Sequence, residues 1–291
     1  MLAEVYLRRT RYSNMTKKEK QFVKTVKEYY RRHGRLSLPW RLLPADRQGQ
    51  RNPYRILVSE IMLQQTQVDR VILKYRSFIK KFPTVKTLAD ATLAEVLKEW
   101  QGLGYNRRAK MLHDTARMIV SAYSGRFPKT REMLQALPGV GQYTSGAIMA
   151  FAYNEAVPII ETNIRTAYLH HFFGVRKNVR DVDIYRYIDR TIDRKNPRTW
   201  YAALMDYGSY LKQALGNQNR RSRHYTKQTR FKGSDREVRG AIVRMLTNGP
   251  CTFVMLEKGI FLEYERLVGI LEKLVGEGLV MRRHRIYSLP E

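Results

Sequence analysis

Cysteine is nearly absent from this chain of 291 residues, because Cys251 is its single cysteine. A lone cysteine excludes a disulfide framework, a zinc site built on cysteines and an iron–sulfur cluster held by four cysteines. Long apolar runs are also missing, and no segment approaches the roughly 18 residues of a membrane span. The N-terminal segment 1–20 lacks the apolar core of a signal peptide. We therefore expect an intracellular protein.

Acidic residues are scarce relative to basic ones. The chain has 54 Lys and Arg against 26 Asp and Glu, which gives a formal net charge of +28. A basic surface gains affinity for a polyanion by displacing the cations that condense around phosphates. The charge therefore predicts a nucleic-acid partner, with an anionic membrane surface as the alternative. Basic residues fall in separate loops and not along one anchor helix, which disfavours the membrane.

Strand patterns are rare as well, and helical periodicity dominates the chain. Segment 16–32 has apolar residues at helical spacing and basic residues between them, which predicts a basic amphipathic helix. Helical segments separated by Gly and Pro breaks continue over 54–211. The stretch 212–232 has basic but no acidic residues and predicts an exposed loop. Residues 235–291 predict three helices and a basic hairpin, which is typical of a winged helix.

The most informative short motif is Leu137-Pro138-Gly139-Val140-Gly141-Gln142-Tyr143. Two glycines separated by one residue, between an apolar turn and a helix start, let backbone N–H groups face a phosphate at the positive end of that helix. The residues expected to contact the phosphate backbone are Leu137, Gly139, Val140, Gly141 and Gln142. A plain turn between two helices is the alternative for this motif taken alone.

Longer segments resemble the MutY-type adenine DNA glycosylases of the helix-hairpin-helix superfamily, over roughly residues 36–211. They lie at 38–41, 53–68, 100–110 and 137–148, and their order and spacing match the family. The resulting prediction is an all-α, two-lobed helix-hairpin-helix glycosylase fold with a small C-terminal winged-helix domain. Its expected parts are a lobe of 1–57 with 165–211, a six-helix barrel of 58–164, a basic linker of 212–234 and a winged helix of 235–291.

The resemblance also implies catalytic roles, because base excision needs a better leaving group and a stabilised positive charge on the sugar. It assigns the general acid to Glu60, whose apolar neighbours would raise its pKa by desolvation. The family's second carboxylate is an aspartate, and Glu161 stands in that place with Asn163 to orient the acidic pair. Capping a helix is the alternative role for Glu161. Tyr143 replaces the Schiff-base lysine of bifunctional relatives, which implies base release without strand cleavage.

Two further groups of residues follow from the resemblance. The resemblance assigns Gln65 to plugging the helix and Tyr105 to wedging between bases opposite the lesion. Leu103 and Thr66 are expected to lie near the base of the opposite strand. Packing inside the protein is the alternative for Leu103 and Tyr105. Trp40 and Arg41 are expected to line the base pocket, with a core role as the alternative for Trp40.

Three departures from the family pattern bear on the substrate. Ala202 stands where relatives carry a Gln or Glu that reads the adenine edge, and its methyl group cannot form that hydrogen bond. The cluster cysteines expected near Lys212 are absent, so no iron–sulfur cluster is expected, and the winged helix stands in place of the family's 8-oxoguanine-recognition domain. We expect the loop after Lys212 to bind DNA phosphates without metal, with a solvated linker as the alternative. The basic residues concerned are Arg220, Arg221, Arg223 and Lys227.

The function predicted from these residues is a monofunctional DNA glycosylase that hydrolyses the N-glycosidic bond of a mispaired base in double-stranded DNA. Adenine opposite 8-oxoguanine or guanine is the first expectation. The alternatives are another base (thymine or uracil opposite guanine, or a modified base) and a mismatch-binding protein that has lost catalysis. No redox or organic cofactor is implied, although the resemblance suggests a monovalent cation at the hairpin carbonyls. We expect a monomer in the cytoplasm or nucleoid.

Overall fold

Helices account for almost all regular structure in residues 14–228 and 230–290, which are the residues that this computed structural model describes. The helices are α1 Lys17–His33, α2 Pro53–Leu63, α3 Val68–Lys81, α4 Val85–Ala89, α5 Leu93–Trp100, α6 Arg107–Tyr123, α7 Arg131–Gln135, α8 Gln142–Phe151, α9 Thr162–Phe172, α10 Asp181–Thr191, α11 Pro197–Leu215, a 3₁₀ helix Gln218–Arg221, α12 Asp235–Leu246, α13 Phe253–Ile260 and α14 Tyr264–Gly276. The strands are β1 Cys251–Thr252, β2 Met281–Arg283 and β3 Ile286–Ser288. The predicted helical class is confirmed, with one small sheet near the C-terminus.

The described residues form two compact units. Unit 1 contains the chain up to Pro53 together with Gly141–Lys227, and unit 2 contains Tyr54–Val140 together with the chain from Gln228 onward. This division differs from the predicted one, which placed 141–164 in the barrel and made 235–291 a separate domain. The difference arises because Ile159 and Ile160 pack into the core of unit 1, a tertiary contact that local patterns do not reveal.

Unit 1 is built around aromatic packing against α1. Thr16 caps this helix, since its hydroxyl accepts from the N–H of Glu19 at 3.2 Å and the Glu19 carboxylate accepts in return from the N–H of Thr16 at 2.8 Å. The buried face of α1 presents Phe22, which is 1% exposed and lies 4.9 Å from the Tyr168 ring and 6.1 Å from the Trp200 ring. Burying a side chain of this size contributes about 1.5–3 kcal/mol.

A half-buried histidine, His171, packs beside this core and is expected to make unit 1 sensitive to acid. Burial, assisted by the charges of His170 and Lys18, lowers the pKa of His171 to about 4. Its ring lies 5.0 Å from Phe22, and its Nε2 is 2.8 Å from the Tyr207 hydroxyl. Because the pKa of His171 is lower in the folded state, the neutral ring stabilises the fold fully above the unfolded value of about 6.5, and this contribution is lost as the pH falls toward 4.

We therefore expect the melting temperature of the protein to fall between pH 7 and pH 4.5. Replacing His171 with Phe keeps a ring against Phe22 but removes the titrating group, so the decrease should be smaller in this variant. Calorimetry across this pH range measures the effect. An identical pH dependence in wild type and His171→Phe would contradict the assignment.

Unit 2 combines the helices α2–α7 with the C-terminal elements. Phe78 is fully buried in the core, and its ring lies 4.9 Å from Phe82 and 6.0 Å from Trp100. The indole N–H of Trp100 donates to the Gly104 carbonyl at 3.1 Å. This hydrogen bond ties the end of α5 to the loop that follows it, because a buried indole needs an acceptor.

The C-terminal part of unit 2 contains the three helices and the basic hairpin that the sequence predicts. Its sheet is antiparallel with strand order β1-β3-β2. This part contacts the helices of the same unit through the Gln101 amide, which donates to the Thr247 hydroxyl at 2.5 Å, and the N–H of Ala94, which donates to the Pro290 carbonyl at 3.2 Å. The assignment of a winged helix stays a prediction. None of the described helices is long and apolar enough to cross a membrane.

Candidate active site

Glu60 is a buried acid in a largely apolar helix. Helix α2 begins at Pro53. Proline suits this position because the N–H of a first helical residue has no partner within the helix. Every residue from Tyr54 to Met62 except Arg55 is buried, and Glu60 itself is 6% exposed. Apolar surroundings disfavour the charged form of a carboxyl group, and a general acid must start in its neutral form. Glu60 is therefore not an ordinary exposed glutamate of a helix surface.

Two loops in unit 2 carry the residues expected to enter the duplex. Gln65 follows the end of α2, and Tyr105 precedes α6. Both have left-handed backbone conformations, with φ of 54° and 49°. Such conformations are uncommon for residues other than glycine and persist where the surroundings fix them. Gln65 is exposed and Tyr105 is half-buried, so both occupy the edges of unit 2.

The other two predicted duplex contacts, Thr66 and Leu103, lie in the same two loops and make contacts within the protein. Leu103 is 3% exposed, which means that its side chain packs inside unit 2 and cannot reach a base without rearrangement. The Thr66 hydroxyl lies 3.4 Å from the Leu103 carbonyl and 3.1 Å from Nη2 of Arg108, which donates to it. The packing alternative therefore describes Leu103, while Thr66 joins the two loops.

The side chains of Gln65 and Tyr105 are already engaged by the C-terminal segment of unit 2. The Gln228 amide donates to Oε1 of Gln65 at 3.0 Å and also to the Tyr105 hydroxyl. Arg236 donates to the same hydroxyl, and its guanidinium lies 5.5 Å from the centre of the Tyr105 ring. These contacts, which sequence patterns did not indicate, must loosen before Tyr105 can stack between bases.

The hairpin exposes its backbone and buries its apolar side chains. Leu137 is 2% and Val140 3% exposed, and the Val140 N–H donates to the Leu137 carbonyl at 3.1 Å. Gly139 has a φ of 71°, and a Cβ there would lie 2.7 Å from Cβ of Met111. Gly141 is the N-cap of α8, and Gln142 is the first residue of that helix. The side chains of Leu137 and Val140 therefore do not face a phosphate, and their N–H groups already donate to the carbonyls of Leu134 and Leu137.

Glu161 caps the N-terminus of α9. Its Oε1 accepts from the backbone N–H groups of Asn163 and Ile164, both at 2.8 Å, and the Asn163 amide donates to Oε2 at 3.4 Å. Burial raises the pKa of Glu161, although the two backbone hydrogen bonds and the charges of Arg165 and Lys212 oppose the shift. The capping alternative thus describes its hydrogen bonds, and Asn163 contacts Glu161, while its orienting of an acidic pair stays a prediction. These bonds hold the carboxylate in one orientation.

Helix α11 supports this capping turn by a close backbone approach at Gly208. A Cβ at this position would lie 1.9 Å from the carbonyl oxygen of Asn163. Only glycine fits such a contact, since neighbouring backbone cannot move aside as a flexible side chain can. The sequence pattern did not single out this glycine.

Replacing Gly208 with Ala should displace the first turn of α9 and destabilise the protein by about 1–3 kcal/mol, the usual cost of overpacking. Gly269→Ala in α14 is the matched control, because its Cβ meets no atom within 4 Å. Thermal unfolding compares the two variants. Equal melting temperatures for the two variants would show that α9 and α11 do not pack this closely.

Arg41 is held by a buried carboxylate on α11. Its Nη1 and Nη2 donate to the two oxygens of Asp206 at 2.7 and 2.9 Å, and Arg35 donates to the same group through Nε at 2.7 Å. Burial would raise the pKa of Asp206, but the two arginines lower it. Ala202 is 4% exposed, with its carbonyl 3.4 Å from Nη2 of Arg41, and Trp40 is 7% exposed. Arg41 and Ala202 therefore adjoin, Trp40 has the burial of a core residue, and their place in a base pocket stays a prediction.

Tyr143 occupies the second position of α8 and is half-buried against the core of unit 1. A phenol has no amine with which to form an imine. The adjacent residues, Gln142 and Thr144, are not lysines either, so the motif has no amine at or beside this position.

The segment after α11 is only partly the exposed loop that the sequence predicts. Helix α11 continues to Leu215, and a 3₁₀ helix follows at Gln218–Arg221. Asn219 is 4% exposed, and its amide donates to the Thr162 carbonyl at 3.1 Å and the Thr166 hydroxyl at 2.7 Å. Asn219 therefore anchors the loop to α9. Its polar side chain in a basic stretch had suggested exposure.

Backbone pairing fixes the next part of the loop. The N–H of Val179 donates to the Arg221 carbonyl, and the N–H of Arg223 donates to the Val179 carbonyl, both at 3.0 Å. Arg220, Arg223 and Lys227 are exposed, whereas Arg221 is half-buried. Three of the four predicted phosphate contacts are thus free to meet solvent, and a purely solvated linker does not describe this segment. Within the described residues, no cluster of His, Cys, Asp and Glu is placed to hold a metal ion.

Comparison with known proteins agrees with this geometry. Residues 58–190 match the model of the HhH-GPD superfamily base excision DNA repair proteins. The adenine DNA glycosylase of Mycolicibacterium smegmatis is 35% identical over 268 residues, which are 85% of this chain and 89% of that protein. The adenine DNA glycosylase of Buchnera aphidicola subsp. Baizongia pistaciae is 35% identical over 194 residues, 65% of this chain and 52% of that protein. This chain thus spans about half the length of the Buchnera protein.

The fold has a counterpart among solved structures. A thermostable thymine-DNA glycosylase superposes with a TM-score of 0.59 at 28% identity, covering 66% of this chain and 87% of that one. The helix-hairpin-helix glycosylase fold is thereby confirmed. With the family model and the Mycolicibacterium relative, the conclusion is that the chain belongs to the HhH-GPD superfamily of base excision DNA repair proteins and, within it, to the family of the adenine DNA glycosylases.

Proposed function

We propose that this protein is a monofunctional adenine DNA glycosylase that removes adenine from a mispair in double-stranded DNA. The observation that carries the proposal is the buried Glu60, within the stretch of the chain that matches the superfamily model. The names of the relatives supply the substrate class, since both described above are adenine DNA glycosylases. These names favour neither of the two alternatives, which are excision of thymine or uracil and mismatch binding without catalysis.

In the proposed reaction the target adenine leaves the base stack before the glycosidic bond breaks. Extrusion costs a few kcal/mol, least for a mispaired base. The carboxyl group of Glu60 donates its proton to a ring nitrogen of adenine, so that the base departs neutral with the electron pair of the broken C1′–N9 bond. Water then adds to C1′ and loses a proton. The products are free adenine and an abasic site.

Glu161 is the proposed stabiliser of positive charge on the sugar. Its two backbone hydrogen bonds, each 2.8 Å, favour the anion against the burial that raises its pKa. A fixed carboxylate stabilises an oxocarbenium ion without reorganising during the reaction. Its side chain is longer than the family's aspartate by one carbon–carbon bond, about 1.5 Å.

Tyr143 supports hydrolysis alone and argues against strand cleavage. With no amine at this position, no imine to the sugar forms and the DNA strand stays intact after base release. Duplex treated with the protein should therefore break only after alkali is added. Trapping of the protein on DNA by borohydride would contradict this part of the proposal.

The proposal includes no iron–sulfur cluster and no organic cofactor. The family's cysteine cluster does not fit this chain, because the single cysteine, Cys251, lies in β1 and not in the loop after α11. Asn219 and the pairing of Val179 hold that loop to unit 1 instead. A monovalent cation at the hairpin carbonyls remains part of the proposal on the resemblance alone.

The same loop is proposed to bind phosphates without metal. Replacing Arg220, Arg223 and Lys227 together with Ser should reduce the slope of log affinity against log salt by up to about 3, because each phosphate contact contributes about 0.9. Replacing three exposed basic residues of α1, Lys17, Arg31 and Arg32, removes equal charge from another surface and is the control. Fluorescence anisotropy over a salt series gives the slopes. Identical slopes for the two triple variants would show that the loop makes no special contact.

Identity of the opposite base is the finest part of the proposal. Adenine opposite 8-oxoguanine or guanine is the proposed mispair, and Ala202 leaves the reading of the adenine edge to another group. We further propose that the protein acts as a monomer within the cell, where its DNA substrate is.

A direct test is single-turnover base release from duplexes that carry adenine, thymine, uracil or cytosine opposite 8-oxoguanine or guanine. The proposal predicts release of adenine alone. Release of thymine or uracil in place of adenine would overturn the substrate assignment. Tight binding to mispairs with no release from any duplex would favour a protein that has lost catalysis.

A further inference from the structure

One guanidinium in unit 2 joins the end of the Glu60 helix to both loops that carry the expected duplex contacts. Arg108 lies in the first turn of α6, and its Nη1 donates to the carbonyls of Ile61 at 2.8 Å and Met62 at 3.1 Å. The same nitrogen donates to the carbonyl of Gln64. Ile61 and Met62 belong to the last turn of α2, whose carbonyls have no helical partner. Arg108 therefore caps the helix that contains Glu60.

The other terminal nitrogen of Arg108 binds the second loop. Nη2 donates to the carbonyls of Leu103 at 3.0 Å and Gly104 at 3.1 Å, and to the Thr66 hydroxyl at 3.1 Å. The guanidinium also lies 5.4 Å from the centre of the Tyr105 ring. One side chain thus contacts both neighbours of Gln65 and the loop that ends at Tyr105.

The positive charge of Arg108 contributes to its contacts with the two loops and the end of α2. Burial lowers the pKa of Arg108 to about 10, which leaves the group protonated at neutral pH. The acceptors described above are neutral, and their dipoles stabilise the charge because α2 ends with its negative pole toward the guanidinium. The Trp100 ring, 5.5 Å away, adds a cation–π contact.

The geometry requires arginine in particular. Arginine presents five N–H donors in a rigid plane, whereas lysine has three donors on one atom and cannot reach two separated loops at once. Gln65 and Tyr105 adopt left-handed conformations, and tertiary contacts must hold such conformations in place. Arg108 lies where both can be fixed together.

We propose that Arg108 is a positioning residue that fixes the Gln65 loop, the Tyr105 loop and the C-terminal end of the Glu60 helix as one body. This inference rests on the proposed function, in which the two loops enter the duplex while Glu60 protonates the extruded base. Arg108 itself need not touch DNA. Its loss should impair base extrusion and alignment far more than it weakens binding to duplex.

The variants for the test are Arg108→Gln and Arg108→Lys, with Arg117→Gln as the matched control. Arg117 is exposed on the same helix, so its replacement removes one charge without touching either loop. Circular dichroism first establishes that each variant is folded. If Arg108→Gln does not fold, Arg108→Lys, which retains the charge, carries the remaining measurements.

Hydrogen exchange in the free protein tests positioning without reference to catalysis. We expect amide exchange over 61–66 and 102–105 to rise at least about 10-fold in Arg108→Gln, with the remainder of unit 2 unchanged. Arg108→Lys should recover part of the protection, and Arg117→Gln should match wild type. Faster exchange in one loop only, in neither loop, or throughout unit 2 would overturn the proposal.

Single-turnover kinetics then tests the link to base excision. On an adenine:8-oxoguanine duplex we expect Arg108→Gln to lower the rate of base release about 100-fold, as misplacement by 1 Å can, with a much smaller change in Kd. Fluorescence of 2-aminopurine beside the target should report less unstacking than with wild type. A rate equal to that of Arg117→Gln would refute the role in excision. A wild type that releases no base would refute the proposed function instead, while the exchange result still decides the positioning.

Discussion

Replacing Glu60 with Gln is expected to reduce base release by about 10²–10⁴-fold, the contribution of a positioned general acid. The substitution keeps the size of the side chain within a buried helix but removes the proton that the departing base takes. Adenine would then leave as an anion, which is a far poorer leaving group. Single-turnover release on an adenine:8-oxoguanine duplex measures the loss.

Binding and folding serve as the controls for this variant. Glu60→Gln should retain a Kd for the mispaired duplex close to that of wild type, because the amide keeps the size and shape of the buried carboxyl group. Its far-ultraviolet circular dichroism should be unchanged. Base release within about 10-fold of wild type would show that another group supplies the proton.

Glu161→Gln is the second substitution with a large expected effect. The amide oxygen can still accept the N–H groups of Asn163 and Ile164, so α9 keeps its cap, but the negative charge is lost. We expect base release to fall by about 10²–10³-fold, the scale of electrostatic stabilisation by one preorganised group. Glu161→Asp restores both the charge and the residue typical of the family, and its activity should lie within about 10-fold of wild type.

The pH dependence separates the charge of Glu161 from its capping role. Because burial raises the pKa of Glu161, its anion is lost at a higher pH than an ordinary carboxylate as the solution is acidified. The rate of base release should decline on the acid side through that raised pKa, and this decline should be absent from the residual activity of Glu161→Gln. Full activity of Glu161→Gln at neutral pH would leave the residue a helix cap and nothing more.

Sequence reasoning was most successful where a pattern is local. Apolar spacing predicted α1 to within one residue at each end, and Gly and Pro breaks marked the turns between the later helices. The burial of Glu60 also followed from its neighbours along one helix. Periodicity of this kind depends on the chain alone, so tertiary structure did not alter it.

Contacts between distant segments could not be predicted in the same way. Leu103 looked like a side chain for the opposite strand because of its place in a motif, but the fold buries it and uses its carbonyl to hold Arg108. The motif at 100–110 did not reveal what Arg108 contacts, and Asn219 lies in a stretch that was predicted to be exposed. Their roles come from carbonyl groups that lie close only after folding, since the Asn219 amide meets the carbonyl of Thr162.

The charged segment after α11 shows that composition alone does not reveal where a segment is attached to the rest of the protein. Seven basic residues and no acidic one in 212–232 predicted exposure throughout. A buried asparagine and one pair of backbone hydrogen bonds are enough to attach such a segment, and neither changes its composition. Most described residues of 212–232 are exposed as predicted, among them Arg220, Arg223 and Lys227, whereas Asn219 and Ser222 are buried.

The measurement that tests the account most directly is the identity of the product. Wild-type protein in excess over an adenine:8-oxoguanine duplex should release free adenine, detected by mass spectrometry, and leave an intact strand that breaks only in alkali. Glu60→Gln, under the same conditions, should release adenine at least about 100-fold more slowly. If wild type releases no adenine at saturating protein, or if both proteins release it at the same rate, the central claim of a Glu60-dependent adenine glycosylase is contradicted.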